Sequence, residues 1–212
     1  MMMSDLPMNA EARHILTVGH SNQSLDSFLK LIERHAVEAV IDTRSYPVSR
    51  FAPHFNRPCV EAALEDRGIK YRFWGPELGG RPQGHEFYDE EGRVLYWRVA
   101  EAPLFLRGIE KVLRGLAKHR VVLLCSEENP AGCHRRLLIG RVLASRGVVV
   151  EHIRGSGRIE RETAWLPGNE QSSRLQEQLS LFSERPAVSE DKEWKSVQSV
   201  LRRNRPLTSS TH

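Results

Sequence analysis

The chain has 212 residues, 40% hydrophobic and 27% charged, a balance that suits one medium globular domain with room for an extension. No run approaches the roughly 18 apolar residues that a helical membrane span needs, and Met1 to Arg13 lacks the basic start, apolar core and small-residue cleavage site of a secretory signal, so a cytoplasmic protein with no membrane partner is expected. The net charge of +4 is too small to decide for a polyanionic partner, and three cysteines, Cys59, Cys125 and Cys133, are too few and too unevenly placed for a disulfide scaffold, which leaves their thiols reduced and open to chemistry.

The first element is Ile15 to Val18, a β-branched apolar run that stops at Gly19-His20-Ser21, the pattern of a buried strand feeding a loop. Ser24 then precedes Leu25, Phe28, Leu29 and Ile32 at helical spacing and is placed to cap the open amides of the first turn. Val37 to Ile41 is a second buried strand that runs into Asp42-Thr43-Arg44, so the opening segment predicts a β-α-β crossover with parallel strands. After a loop rich in proline and aromatics, Pro58 starts a helix through Leu64 to Arg67 and Gly68 ends it. Ile69 to Trp74 predicts a third strand, and the glycine-rich polar stretch from Gly75 to Gly92 a mobile functional loop or lid. Val94 to His119 predicts a helix broken at Pro103. Val121 to Leu124 is the clearest strand; it ends at Cys125, passes through a polar loop and enters a helix near Cys133-His134-Arg135. Gly147 then precedes a last strand, Val148 to Ile153.

The expected fold is α/β: a mostly parallel sheet flanked by helices in a Rossmann-like three-layer arrangement over 13–155, followed by a largely flexible tail over 156–212, where apolar spacing becomes sparse. In such sheets ligands collect beyond the carboxyl ends of the strands, where three polar clusters fall here. His20, Asp42, Cys125, Glu127, Cys133 and His134 are the candidate catalytic residues, and Ser21, Arg44, Arg50 and Arg135 the candidate anion-binding residues. A helix start near Cys133 and the neighbouring arginines would favour a cysteine thiolate, hence a nucleophile. The structural readings of the same residues are a cysteine that simply fills the core, a buried Asp42-Arg44 ion pair and solvated loop carboxylates at Glu127 and Glu128. A zinc or iron site built from His20, Cys125, Cys133 and His134 is the rival account, although the seven residues between the cysteines are wider than the paired spacing of common structural zinc sites.

Thr17-Val18-Gly19-His20-Ser21, Asp42-Thr43-Arg44 with Pro47, Ser49 and Arg50, Leu78-Gly79-Gly80, and Leu124-Cys125-Ser126-Glu127 followed by Cys133-His134-Arg135 occur in one order along the chain. Together they resemble the domain of unknown function 488 family of small prokaryotic α/β proteins over about residues 14–155. Where that family often reads Asp-Val-Arg this chain has Thr43 between the two charged positions. The resemblance implies a fold and a shared pocket; it names no reaction and no cofactor.

In the tail, Gln178-Leu179-Ser180-Leu181-Phe182 is similar to the pentapeptide by which bacterial polymerases and repair proteins dock on the DNA polymerase sliding clamp. Leucine and phenylalanine anchors can fill a preformed apolar pocket, and the same spacing also suits a short amphipathic helix packed on the domain. Trp194, Lys195, Arg202, Arg203 and Arg205 place basic charge beside an aromatic, a composition suited to nucleic acid. The combined expectation is a DNA-maintenance accessory protein, a cysteine- or metal-dependent hydrolase or transferase acting on a nucleotide or nucleic-acid-like anion. Its alternative is a non-catalytic module that binds a nucleotide or DNA end.

Overall fold

The structure, a computed structural model, describes residues 13–164 and 194–200. Six strands form one sheet in the order β3-β2-β4-β1-β5-β6. They are β1 (His14–Gly19), β2 (Ala39–Asp42), β3 (Lys70–Phe73), β4 (Val121–Cys125), β5 (Val149–Ile153) and β6 (Ile159–Arg161). The first five are parallel, and β6 turns back antiparallel along β5. The expected α/β sheet is therefore present. β2 begins two residues later than the apolar pattern predicts, because Val37 and Glu38 complete the turn out of the preceding helix, Val37 N–H donating to the Ile32 carbonyl.

Helices cover both faces, which is why strands such as Val121 to Leu124 are apolar without alternation. On one face α1 (Leu25–Arg34) and α2 (Arg57–Glu65) bury Phe28, Ile32, Val60 and Leu64 against Leu16, Val18, Val40, Val122 and Leu124. On the other, α3 (Gly75–Leu78), α4 (Tyr96–Glu101), α5 (Pro103–Leu116) and α6 (Arg141–Ala144) bury Leu78, Phe105, Ile109 and Leu143 against Ile15, Ile41, Val121 and Leu123. Each such aliphatic or aromatic side chain contributes about 1.5–3 kcal/mol by leaving water.

The local signals act as their chemistry requires. Ser24 Oγ accepts the Ser27 amide at 3.1 Å and caps α1. Ala102, extended before Pro103, separates α4 from α5. The stretch expected to be a mobile lid is instead built into the fold: α3 sits inside it, Leu78 is fully buried, and a Cβ on Gly108 of α5 would lie 2.8 Å from Glu77 Cβ. The helix after β4 opens as a 3₁₀ turn (Pro130–Gly132), continues as a π-helix (Arg135–Gly140) and becomes α-helical only in α6. π-Helical turns are rare and concentrate at functional sites.

Two stretches assigned to the tail pack on the domain. Residues 159–161 add β6, and Glu162 reaches back to Arg136 and His152. Residues 194–200 lie along 92–97: Trp194 Nε1 donates to the Leu137 carbonyl at 2.7 Å beneath the Arg141 guanidinium, and Lys195 pairs with Asp89 at 3.1 Å. Trp194 and Lys195 are thus engaged by the domain itself. Arg202, Arg203 and Arg205 lie outside the described residues. Among the described residues no helix is long and apolar enough to cross a membrane.

Candidate functional site

β1 and β4 are neighbours, with Gly19 opposite Cys125. The chain leaving β1 enters α1 on one face, whereas the chain leaving β4 reaches α6 on the other. Their carboxyl ends therefore part, and this topological switch point is where an open α/β sheet has room for a ligand. The loops are locked together there. His20 and Ser21 amides donate to the Cys125 and Ser126 carbonyls at 3.0 and 2.8 Å, and Ser21 takes a positive φ of 48°. Gly19 lets the Glu127 backbone pass: a Cβ there would sit 1.7 Å from the Glu127 carbonyl oxygen.

Because side chains alternate across a sheet, the polar residues sort into two groups. His20, Asp42 and Arg44 share the α1–α2 side. Arg44 is buried and donates through Nε and Nη2 to both Asp42 oxygens at 2.6–3.1 Å, and through Nη1 to the Phe55 carbonyl at 2.7 Å. Tyr71 donates its hydroxyl to Asp42 Oδ2 at 2.7 Å. Asp42 is thus a saturated partner of a buried ion pair, the structural reading of that residue. His20 stacks on Phe55 with ring centroids 4.2 Å apart, donates Nδ1–H to the Ser21 carbonyl at 2.8 Å, and accepts from Arg44 at Nε2 at 3.3 Å. Burial, then the Arg44 charge, pushes the His20 pKa down to about 4, so the ring is neutral at pH 7.

Cys125, Cys133 and His134 form the second group, on the side of α4 and α6. The two sulfurs are 3.1 Å apart, and His134 Nδ1 lies 3.8 Å from Cys125 Sγ and 3.7 Å from Cys133 Sγ. The loop that brings them together is shaped by Asn129, whose Oδ1 accepts the Ala131 amide at 3.0 Å. His134 Nε2–H donates to the Thr43 carbonyl at 3.1 Å, which turns Nδ1 toward the sulfurs. A hydrogen bond from Cys133 holds the Cys125 pKa well below a free thiol's against the opposing effect of burial, with help from the His134 and Arg135 charges. The same hydrogen bond, then burial and the Cys125 charge, push Cys133 up. Burial works to lower His134, but the charge and hydrogen bond of Cys125 outweigh it and raise it. The directions agree with one another: negative charge is favoured on Cys125 rather than Cys133, and positive charge on the neighbouring His134 is favoured with it.

The remaining expected residues take other places. Arg135 is fully buried and donates to the Glu127 carbonyl and to the Glu128 carbonyl at 2.6 Å, so it braces the loop after β4. Glu128 is held by Arg154 at 2.8 and 2.9 Å. Glu127 is exposed at the loop surface, and its charge reaches both His134 and Tyr96. An open cleft of about 420 Å³ has a floor of His20, Ser21, Asn22, Arg44 and Ser126 and a rim that includes Tyr46, Val48 and Phe51. Arg50 is exposed and follows Ser49 in the chain, but it is not among the residues that line the cleft. Cys125 is next to the cleft in sequence through Ser126, yet its sulfur lies on the other side of the sheet edge. The pentapeptide at Gln178, Leu179, Ser180, Leu181 and Phe182 lies outside the described residues.

Several residues of these groups carried no readable signal. Tyr71, Phe55 and Tyr96 look like core aromatics in the sequence, and the Thr43 carbonyl is a backbone atom. A further buried polar chain sits on β1, β5 and the segment after β6. Thr17 Oγ1 lies 2.7 Å from His152 Nδ1, His152 Nε2 lies 3.6 Å from Glu162, and Arg136 pairs with the same carboxylate. Comparison with curated proteins and with solved structures returns no significant match. A family model described as Domain of unknown function DUF488 matches residues 24–142. The match begins at the cap of α1, leaving β1 and His20 before it, and takes in Asp42, Arg44 and the whole Cys125 to Arg135 loop. Covering more than half of the 212 residues, it shows that the chain belongs to the DUF488 family, a domain of unknown function.

Proposed function

We propose that the protein is a DNA-maintenance accessory enzyme that takes a nucleotide or nucleic-acid-like anion in the cleft above β1 and β4 and is tethered by residues 178–182 to the DNA polymerase sliding clamp. The observation that supports this reading best is the make-up of the cleft. Its floor offers the Ser21 and Ser126 hydroxyls and the Asn22 amide, while Phe51, 97% exposed, and Tyr46, 63% exposed, stand at its rim, the Arg81 guanidinium lying 5.9 Å from the Tyr46 ring. Large aromatics left in water next to a cation suit bases that stack and phosphates that need a counter-charge. A volume of about 420 Å³ falls in the range of small-ligand sites. Arg44 lines the cleft with its charge balanced by Asp42, and both nitrogens of His20 are occupied. His20 is therefore not a free acid or base in the cleft, and in this reading proton transfer or bond-making falls to the Cys125, Cys133 and His134 group only where the bound anion reaches past the sheet edge to it. The same occupancy of His20 favours the second reading, a non-catalytic nucleotide or DNA-end module, in which Cys125→Ser leaves function intact.

Fluorescence anisotropy with a labelled mononucleotide and a short single strand tests the cleft. The Tyr46→Ala, Phe51→Ala double variant removes only exposed side chains, and its binding is expected to weaken roughly 5–150-fold for each base that stacks. Equal binding by the variant, or none by the wild type, rules out the nucleotide reading. In the same preparation, clamp binding lost on Leu181→Ala, Phe182→Ala supports the tether, and clamp binding unchanged by that pair removes it.

A further inference from the structure

We propose that Cys125, Cys133 and His134 hold a tetrahedral divalent ion, Zn²⁺ by the nature of the donors, with a fourth position left to water or substrate. The proposal concerns the same thiol group but needs nothing from the cleft, because metal binding is read without any substrate.

Three soft donors converge from a strand end and the start of the following helix, with all ligand atoms within 4.8 Å of one another. Zinc–sulfur bonds of about 2.3 Å and zinc–nitrogen bonds of about 2.0–2.1 Å at tetrahedral angles require donor separations of about 3.5 Å for S···N and about 3.8 Å for S···S. The observed S···N distances of 3.7 and 3.8 Å are already close, and the S···S distance of 3.1 Å needs only a side-chain rotation to open. That separation is also well beyond a sulfur–sulfur bond of about 2.0 Å, so neither cysteine is tied up in a disulfide.

The histidine is oriented as ligating histidines are. Its Nε2–H is fixed on the Thr43 carbonyl at 3.1 Å, which leaves Nδ1 as the nitrogen facing the sulfurs. Gly80 allows this: a Cβ there would sit 2.8 Å from the His134 ring. The wide gap between the cysteines, which argues against a structural zinc knuckle in the sequence, is bridged by the 3₁₀ turn at 130–132 and the Asn129 cap, which fold the loop back so that Cys133 meets Cys125. His20 does not join them, since its Nε2 accepts from Arg44. Among the described residues the site thus offers three protein donors. Zinc prefers four, and three ligands with an open position is the composition of catalytic rather than structural zinc sites. His134 is only partly buried, whereas both cysteines are buried.

The test is a Co²⁺ titration of the chelator-stripped, reduced full chain, followed by competition with Zn²⁺. The expected result is one ion per chain, with the intense visible bands of tetrahedral Co²⁺ and a near-ultraviolet thiolate charge-transfer band, both bleached by Zn²⁺. His134→Gln, chosen because its amide can still reach the Thr43 carbonyl, is expected to weaken binding by more than the roughly 10–100-fold that loss of an outer-shell partner costs. Cys59→Ser, at an exposed cysteine remote in sequence, is expected to change nothing. Should a cysteine variant fail to fold, thermal melting of the wild type with and without Zn²⁺ gives the answer, because an ion that binds only the folded chain must raise its melting temperature. No tetrahedral signature and no thermal shift in the wild type overturn the proposal, as does a Cys125→Ser, Cys133→Ser double variant that keeps the signature.

Discussion

At the scale of single residues, the carboxyl edge of the sheet is decided by close packing of backbone as much as by charge. Gly19 shows this most directly: there is no space for a methyl group where the Glu127 carbonyl passes, and Arg135 Nη1 would lie 2.9 Å from it as well. Gly19→Ala is expected to cost about 2–4 kcal/mol, since the loop after β4 must move and give up Arg135's hold on it. Gly132→Ala, with nothing within 4 Å of the added carbon, is the control and should be nearly neutral. Urea unfolding of both variants checks the difference; equal midpoints would mean that the two loops are not locked together. Arg44 and Asp42 illustrate the opposite problem. Both were legible as charged residues after a strand, but whether they face a ligand or one another depends on Tyr71 and the Phe55 carbonyl, which come from 29 and 11 residues away.

At the scale of elements, the edge of the sheet beyond β5 is closed by a segment whose sequence reads as tail. β6 is three residues long and exposed throughout, so apolar burial cannot hold it. What anchors it is Glu162, which brings a carboxylate to Arg136 and to the buried His152. Burial alone would raise this carboxyl group, but the nearby His152 ring and the hydrogen bond from Arg136 overcome it and hold the pKa at about 2. Glu162→Ala leaves the His152 and Arg136 groups without their acid, and removing one member of a buried pair costs about 3–5 kcal/mol. Hydrogen exchange should show β6 amides losing protection while β1 and β4 keep theirs. Unchanged β6 protection would mean that the strand is held by its backbone alone. The segment 194–200 works by the same logic, with Trp194, Lys195 and Ser196 each finding a polar partner on the domain. Such long-range polar pairs have no periodicity, which is why the apolar pattern fades after 155 although the domain continues beyond it.

For the molecule as a whole, acid is the expected weakness. His20 is neutral in the folded chain with a pKa of about 4, below the value near 6.5 that it has when unfolded, so the unfolded chain takes up a proton first as pH falls. Stability is therefore complete above about pH 6.5 and declines toward pH 4, by about 3 kcal/mol if the full difference is realised. Glu162, held at about 2 against an ordinary 4.5, extends the decline from about pH 4.5 downward. Urea midpoints measured from pH 7 to 4 are expected to fall steadily for the wild type and to stay flatter for His20→Asn. Parallel curves would show that His20 is not the titrating group.

What the amino-acid sequence by itself determined was the alternation of strands and helices, the parallel sheet they imply, and the three loops that carry its polar residues. Those features are local: apolar runs, a serine cap, a proline break and glycine stops act within a few residues of where they stand. Which polar residues share a space was decided only by the tertiary structure. Strand order sets β4 between β2 and β1, and the two-residue alternation of side chains then sends Asp42 and Arg44 to one face and Cys125 to the other. The sequence carries the identity of every donor and acceptor, but the pairing of His134 with Thr43, of Arg135 with the Glu127 and Glu128 carbonyls, and of Cys125 with Cys133 exists only once the sheet has brought their loops to one edge.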